Sequence, residues 1–232
     1  MSIHDGHRQR LKDRFKKEGL DNFEKLQVLE LLLFYCIPRQ DTNPLAHKLL
    51  DRFGTVSAVM EALPSELKKV EGMGESSAQF LNLIMEVMRY CAVERAESEK
   101  ILTTLDACGA YLTPYFQNRR NETVFLLSLD AKCKVISCKF VGEGSVNSAG
   151  VPIRRIVEMA LGEGATTVVL AHNHPSGIAI PSEEDKSTTL RLARALWAVE
   201  ITLADHMVIA DGDFVSMMQS GMYDPKDAYY YG

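Results

Sequence analysis

The stretch Thr166-Thr-Val-Val-Leu-Ala-His172-Asn-His174-Pro175, followed by Ser182-Glu-Glu-Asp185, decides how this chain is read. An apolar run with the length and composition of a buried strand ends in two histidines two residues apart. Side chains at i and i+2 of an extended segment point the same way, so both imidazoles can reach one ion. A carboxylate, Asp185, follows eleven residues after the second histidine, at the start of the next helix. Two His and one carboxylate leave the fourth tetrahedral position free for water, which distinguishes a catalytic zinc from a structural one.

Ser182-Glu-Glu-Asp185 also fits a capping box, with Ser182 as N-cap and Asp185 at N3, and acids in a first turn offset the helix dipole. The two roles coexist if the cap itself aims the Asp185 side chain at the metal. Working outward, Val124–Leu129 and Lys134–Val141 read as strands joined by the Asp130-Ala-Lys turn, hence a hairpin. A helix is expected from Ile153 to Leu161 and another from Glu183 to Val199. Strands at Ile201–Ala210 and Phe214–Met217 turn through Asp211-Gly-Asp213. This order of elements predicts a mixed α/β layered domain over residues 101–232.

Residues 1–100 read as an all-helical module. Phe23–Tyr35 is densely apolar with Pro38 just beyond it, Asn43-Pro44 opens a helix that closes at Gly54, and Pro64-Ser65 starts a short one. Val70-Glu-Gly72-Met-Gly74 then leads into a long amphipathic helix through Tyr90, and Ala92–Lys100 reads as a charged linker or the tail of that helix.

The pattern His172-x-His174-Pro175-x6-Ser182-x-x-Asp185 resembles the JAMM (JAB1/MPN) metalloprotease motif. Asp205-His-Met-Val-Ile209 and Phe214-Val-Ser216 narrow the resemblance to the bacterial RadC-like proteins. The resemblance implies a JAB1/MPN-like α/β/α domain with a fold similar to that of the zinc deaminases. It further implies a Zn2+ cofactor and hydrolysis of a peptide or isopeptide bond in a peptide or protein substrate. By the same resemblance Ser182 is the motif serine, expected near metal-bound water, where its hydroxyl could serve a developing oxyanion; N-capping is its other role. His206 is read as a structural hydrogen-bonding group or a partner to a ligand rather than a fourth ligand.

JAMM enzymes use an upstream glutamate as general base, which the resemblance places late in the strand before Gly144-Ser145. Lys139-Phe140 stands there. Strand alternation puts Lys139, Val141 and Glu143 on one face, which makes Glu143 the expected substitute, with Glu122 a second candidate. A lysine near zinc opposes the cation, so the alternative is a metal site without efficient hydrolysis, in a DNA-associated scaffold. Deaminase chemistry is set aside: position 174 is His where that signature has Glu, and no Pro-Cys-x-x-Cys follows.

Net charge is −5, too mild to argue for nucleic acid or membrane on bulk electrostatics. Locally, Arg8, Arg10, Lys12, Arg14, Lys16 and Lys17 crowd the start of the chain. Gly72-Met-Gly74 between helices resembles a helix-hairpin-helix element, whose backbone N–H groups favour phosphate. Arg8, Arg10, Arg14, Lys17, Gly72 and Gly74 are therefore the candidate DNA contacts, although Glu71 and Glu75 oppose a phosphate there. Five cysteines in no Cys-x-x-Cys spacing argue against a disulfide framework or a cysteine cluster. With no apolar leader and no run long enough to span a bilayer, a cytoplasmic protein without membrane contact is expected. Nothing in the sequence specifies an oligomeric state.

Overall fold

The computed structural model describes residues 3–38, 40–96, 101–144 and 152–228. Parts of two sequence readings lie outside the described residues: 97–100 of the expected linker and Ser145 of the Gly144-Ser145 turn. By packing, the chain divides into two compact units, Met1–Met88 and Arg89–Gly232.

The first unit is helical: α1 (Ile3–Glu18), α2 (Lys25–Cys36), α3 (Asn43–Phe53), α4 (Val56–Glu61), α5 (Pro64–Leu67) and the start of α6 (Glu75–Ala96). Pro44 lies in the first turn of α3, and Gly54, with φ 81°, closes it by donating its N–H to the Leu50 carbonyl. Leu29, Leu33, Leu49, Leu67 and Leu81 are fully buried in one core. Each such side chain contributes about 1.5–3 kcal/mol relative to exposure. The helix α6 runs unbroken to Ala96, and the division between the two units falls inside it.

The second unit takes in the end of α6, then α7 (Leu105–Phe116), β1 (Thr123–Leu129), β2 (Val135–Glu143), α8 (Ile153–Gly162), β3 (Thr167–Asn173), α9 (Glu183–Trp197), β4 (Thr202–Ala210), β5 (Asp213–Ser216) and a 3-10 turn at Pro225–Ala228. The sheet order is β2-β1-β3-β4-β5, with β3 and β4 parallel and the other pairs antiparallel. On one face Val124, Leu126, Val168 and Leu170 pack against Ile156 and Ala160 of α8 and Leu192 and Leu196 of α9. On the other, Phe125, Leu127, Val169, Met207 and Ile209 pack against Leu112, Tyr115 and Phe116 of α7. This is the expected layered arrangement with helices on both faces.

The parallel pair β3 and β4 needs a crossover, and α9 supplies it. Its N-terminus therefore arrives at the C-terminal edge of β3, the edge where open α/β sheets place their sites.

A helix over 105–116 is not part of the sequence reading. Gly109 and Pro114 interrupt its pattern, and Thr104 caps it by accepting from the Ala107 N–H at 3.1 Å. The glycine is there for packing. A Cβ at Gly109 would lie 2.4 Å from the Phe214 ring. Gly109→Ala is expected to destabilise the protein by roughly 1–3 kcal/mol through overpacking, read as a lowered denaturation midpoint at unchanged slope.

Candidate metal centre

His172 is the penultimate residue of β3, and the strand's pairing carries on past its end: the His174 N–H donates to the Ile209 carbonyl of β4 at 2.9 Å. The backbone is thus still extended at His174, and both rings face the same way. Their Nε2 atoms stand 3.0 Å apart. The chain then turns through Pro175-Ser176, closed by the Gly177 N–H on the His174 carbonyl at 3.1 Å. Gly177 has φ 81°, and a Cβ there would come within 2.8 Å of the Asp211 carboxylate, so only glycine makes this turn without strain.

Asp185 enters from α9. Ser182 is the N-cap, its hydroxyl accepting from the Asp185 N–H at 3.1 Å. In return Asp185 Oδ2 accepts from the Ser182 N–H at 2.8 Å and from its hydroxyl at 2.6 Å. The capping box and the approach to the histidines coexist: Oδ1 lies 3.5 Å from His172 Nε2, and Oδ2 lies 3.8 Å from His174 Nε2. Taking one donor atom from each residue, the three lie within 4.8 Å of one another. Ser182's single proton is directed at Asp185, which makes its hydroxyl an orienting group in this geometry.

The donor set fits a divalent ion. Metal–ligand bonds of about 2.0–2.2 Å in a tetrahedron set donor separations of roughly 3.3 Å, and the observed contacts bracket that value. The His174 Nδ1 hydrogen donates to the Ile178 carbonyl at 3.0 Å, which leaves Nε2 of the neutral ring as a lone pair aimed at His172. His172 is fully buried, whereas the His174 side chain is 21% exposed. The cluster is therefore closed on the sheet side and open past His174.

Around the cluster, His206 of β4 places Nε2 2.8 Å from His172 Nδ1. A hydrogen-bonding contact of this kind is common to both roles expected of His206. Asp205 holds the end of β5 and the turn after it, accepting from the Met218 N–H at 2.9 Å and from the Ser216 hydroxyl. Two residues escaped sequence reading. Asn173, between the two histidines and on the opposite face, accepts from the Thr123 N–H at 2.8 Å and donates to the Asn121 carbonyl at 3.2 Å, tying β3 to the turn before β1. Thr189, one helical turn after Asp185, bonds His206 Nδ1 at 2.6 Å. Its sequence signal is a threonine at i+4 from a carboxylate, on the helix face that continues as Leu192 and Leu196.

The upstream acid is arranged differently from expectation. Val124 stands opposite Gly142 on β2 and His172 on β3, while Thr123 stands opposite Glu143. A β-bulge at Val141 breaks the alternation that would put Lys139, Val141 and Glu143 together. The β2 residue level with His172 on its face is Gly142, which carries no side chain. Glu143 falls on the opposite face, exposed, accepting from Asn121 Nδ2 at 3.4 Å. Lys139 keeps the inner face but is drawn away, its Nζ 2.6 Å from Glu163.

Among the candidate DNA contacts, Arg8 donates to the Ile37 and Gln40 carbonyls and covers the Phe34 ring. Arg14 donates to Asn22 and Gln27, pairs with Glu18 and covers Phe23. Arg10 and Lys17 are exposed. Gly72, with φ 97°, and Gly74 form the turn before α6, but Lys48 is paired with Glu71 at 2.7 Å and Lys68 with Glu75.

Burial pushes the His172 imidazole from its ordinary 6.5 down to about 4; Asp185 pulls it up and His174 adds to the depression. Burial, then His172 and His174, likewise push His206 well below its ordinary value. The unfolded chain therefore binds protons that the folded chain refuses. Stability from the neutral rings is complete above the unfolded value of 6.5 and is lost as pH falls through about 4. Metal-free protein is expected to lose stability across that window by urea denaturation, and His172→Asn is expected to flatten the loss.

The model of the family described as "RadC-like JAB domain" matches residues 102–222, which contain the whole sheet and every member of the cluster. A UPF0758 protein of Fusobacterium nucleatum subsp. nucleatum is 30% identical over 224 residues, covering 94% of this chain and 97% of that protein. A UPF0758 protein of Rhodobacter capsulatus is 34% identical over 212 residues, 91% of this chain and 99% of its own. One of Ruegeria pomeroyi is 34% identical over 215 residues, 93% and 96%. Domain match and near-full-length relatives agree with the fold, and the chain belongs to the RadC-like JAB domain family.

Proposed function

We propose that the chain holds one zinc ion on His172, His174 and Asp185 and acts as a JAMM-type hydrolase of a peptide or isopeptide bond in a protein substrate. The observation that carries this is the convergence of two imidazole Nε2 atoms, 3.0 Å apart, on a carboxylate fixed by its own helix cap. Zinc, when bound, supplies Lewis acidity and an activated water at an open coordination position. His172 anchors the buried side, His174 borders the open side, and Ser182 holds the Asp185 carboxylate in place. The exposed Ile178 and Ile180, between His174 and Ser182, are placed to border a substrate backbone.

Purified without chelators, the protein is expected to contain about one zinc per chain by elemental analysis, and His172→Ala to contain close to none. A wild-type chain that takes up no zinc at micromolar concentration ends this reading.

A second reading keeps the metal and drops the hydrolysis, leaving a DNA-associated scaffold. Gly142 level with His172, and Lys139 bound to Glu163, favour it, because β2 brings no carboxylate to the inner face at that level. If it holds, neutralising Arg10 and Lys17 weakens a salt-dependent DNA gel shift, whereas Arg8 and Arg14 variants mainly lower stability. Affinity no higher than that of a similarly charged control protein excludes the DNA contact.

A further inference from the structure

The sheet and α9 together build a chain of hydrogen bonds that runs from the metal cluster into the core, and its polarity can be worked out from donor and acceptor counting. Thr189 Oγ1 lies 2.6 Å from the Asp185 backbone carbonyl, which can only accept. The hydroxyl has one proton, and that proton is committed there. Thr189 Oγ1 therefore accepts at its other close contact, 2.6 Å from His206 Nδ1, so His206 carries its proton on Nδ1. The neutral His206 ring then presents a lone pair on Nε2. His172 Nδ1, 2.8 Å away, must be the donor in that pair. What remains on His172 is a lone pair at Nε2, pointing at His174.

We propose that Thr189 and His206 are positioning residues that fix His172 in the Nδ1–H tautomer, so that its Nε2 is presented to the metal. The proposal rests on the reading of His172, His174 and Asp185 as metal ligands, and it assigns a role to two residues outside that set. The relay is closed on itself: Thr189 sits one turn after Asp185, so the carbonyl that orders the relay belongs to the residue whose carboxylate completes the donor set. His206 and Thr189 are fully buried, and among the described residues no solvent-exposed group competes for either ring nitrogen of His206. His174 is oriented independently, by the Ile178 carbonyl at 3.0 Å. Each imidazole thus has its own backbone-anchored determinant of tautomer, one direct and one relayed through two side chains.

The test has two arms. Long-range proton–nitrogen NMR on metal-free protein with labelled histidine reads the tautomers directly. His172 and His206 are expected as Nδ1–H in the wild type, and Thr189→Val is expected to disturb both while Thr189→Ser retains them. Zinc affinity, measured by chelator competition, is expected to fall roughly 10–100-fold in His206→Leu and to recover in part in His206→Gln, whose amide oxygen can accept from His172 Nδ1. His172 found as Nε2–H in the folded wild type overturns the proposal, as does undiminished zinc affinity in both Thr189→Val and His206→Leu. Failure of the wild type to bind zinc, with the Nδ1–H tautomers present, overturns instead the metal reading. Should His206→Leu not fold, the wild-type spectrum and Thr189→Val still decide.

Discussion

One buried and one part-buried imidazole, converging at the end of β3, are the constraint around which the second unit is organised. Burying polar nitrogen without a partner costs on the order of 1–3 kcal/mol per group, so each ring atom near the cluster must be accounted for. His172 Nδ1 faces His206, His206 Nδ1 faces Thr189, and His174 Nδ1 faces the Ile178 carbonyl. Only the Nε2 atoms are left to face each other. Such an arrangement puts lone pairs of two bases at 3.0 Å beside a carboxylate, which is an arrangement that a cation relieves. The fold supplies it because parallel pairing of β3 and β4 requires α9, and α9 begins where β3 ends.

The capping box and the ligand geometry depend on the same atoms, and this explains how a surface motif becomes part of a buried site. A cap carboxylate at N3 is ordinarily solvated. Here Asp185 is 3% exposed, its Oδ2 is satisfied by both the backbone and the hydroxyl of Ser182, and Oδ1 is left toward His172. The helix N-terminus stabilises the carboxylate as an anion, which offsets part of its burial cost. Orientation fixed before any metal arrives reduces the entropy lost on coordination.

Much of this was legible in the sequence because the relevant signals are local. The strand before His172, the hairpin around Asp130, the crossover helix after Ser182 and the meeting of His172, His174 and Asp185 all follow from periodicity, turn residues and spacing. What escaped depends on partners distant in sequence. The helix α7 is hidden by Gly109, a residue chosen for the Phe214 ring more than a hundred positions later. Thr189 and Asn173 look like ordinary polar residues until β4 and the turn before β1 are brought against them. The bulge at Val141 is the clearest case: alternation was the correct rule for β2, and one extra residue inverted its consequence for Glu143.

That inversion bears on how the family's chemistry is distributed. The three donors sit on β3 and α9, whereas the proton-transfer group expected from the JAMM resemblance would sit on β2, two strands away across β1. β2 meets β3 through β1 and through the core that Val141 shares with Leu170 and Leu192, and it contributes none of the three donors. Here β2 carries a bulge, a glycine level with His172, and a lysine whose charge is neutralised by Glu163, which is itself held by the Ser137 hydroxyl at 2.6 Å. The Lys139 side chain is 58% exposed and ends on Glu163, so solvent and its partner screen its charge. On the proposed reading, metal binding and proton transfer would be separable in this architecture, because the three donors stand on β3 and α9 and the expected acid would stand on β2.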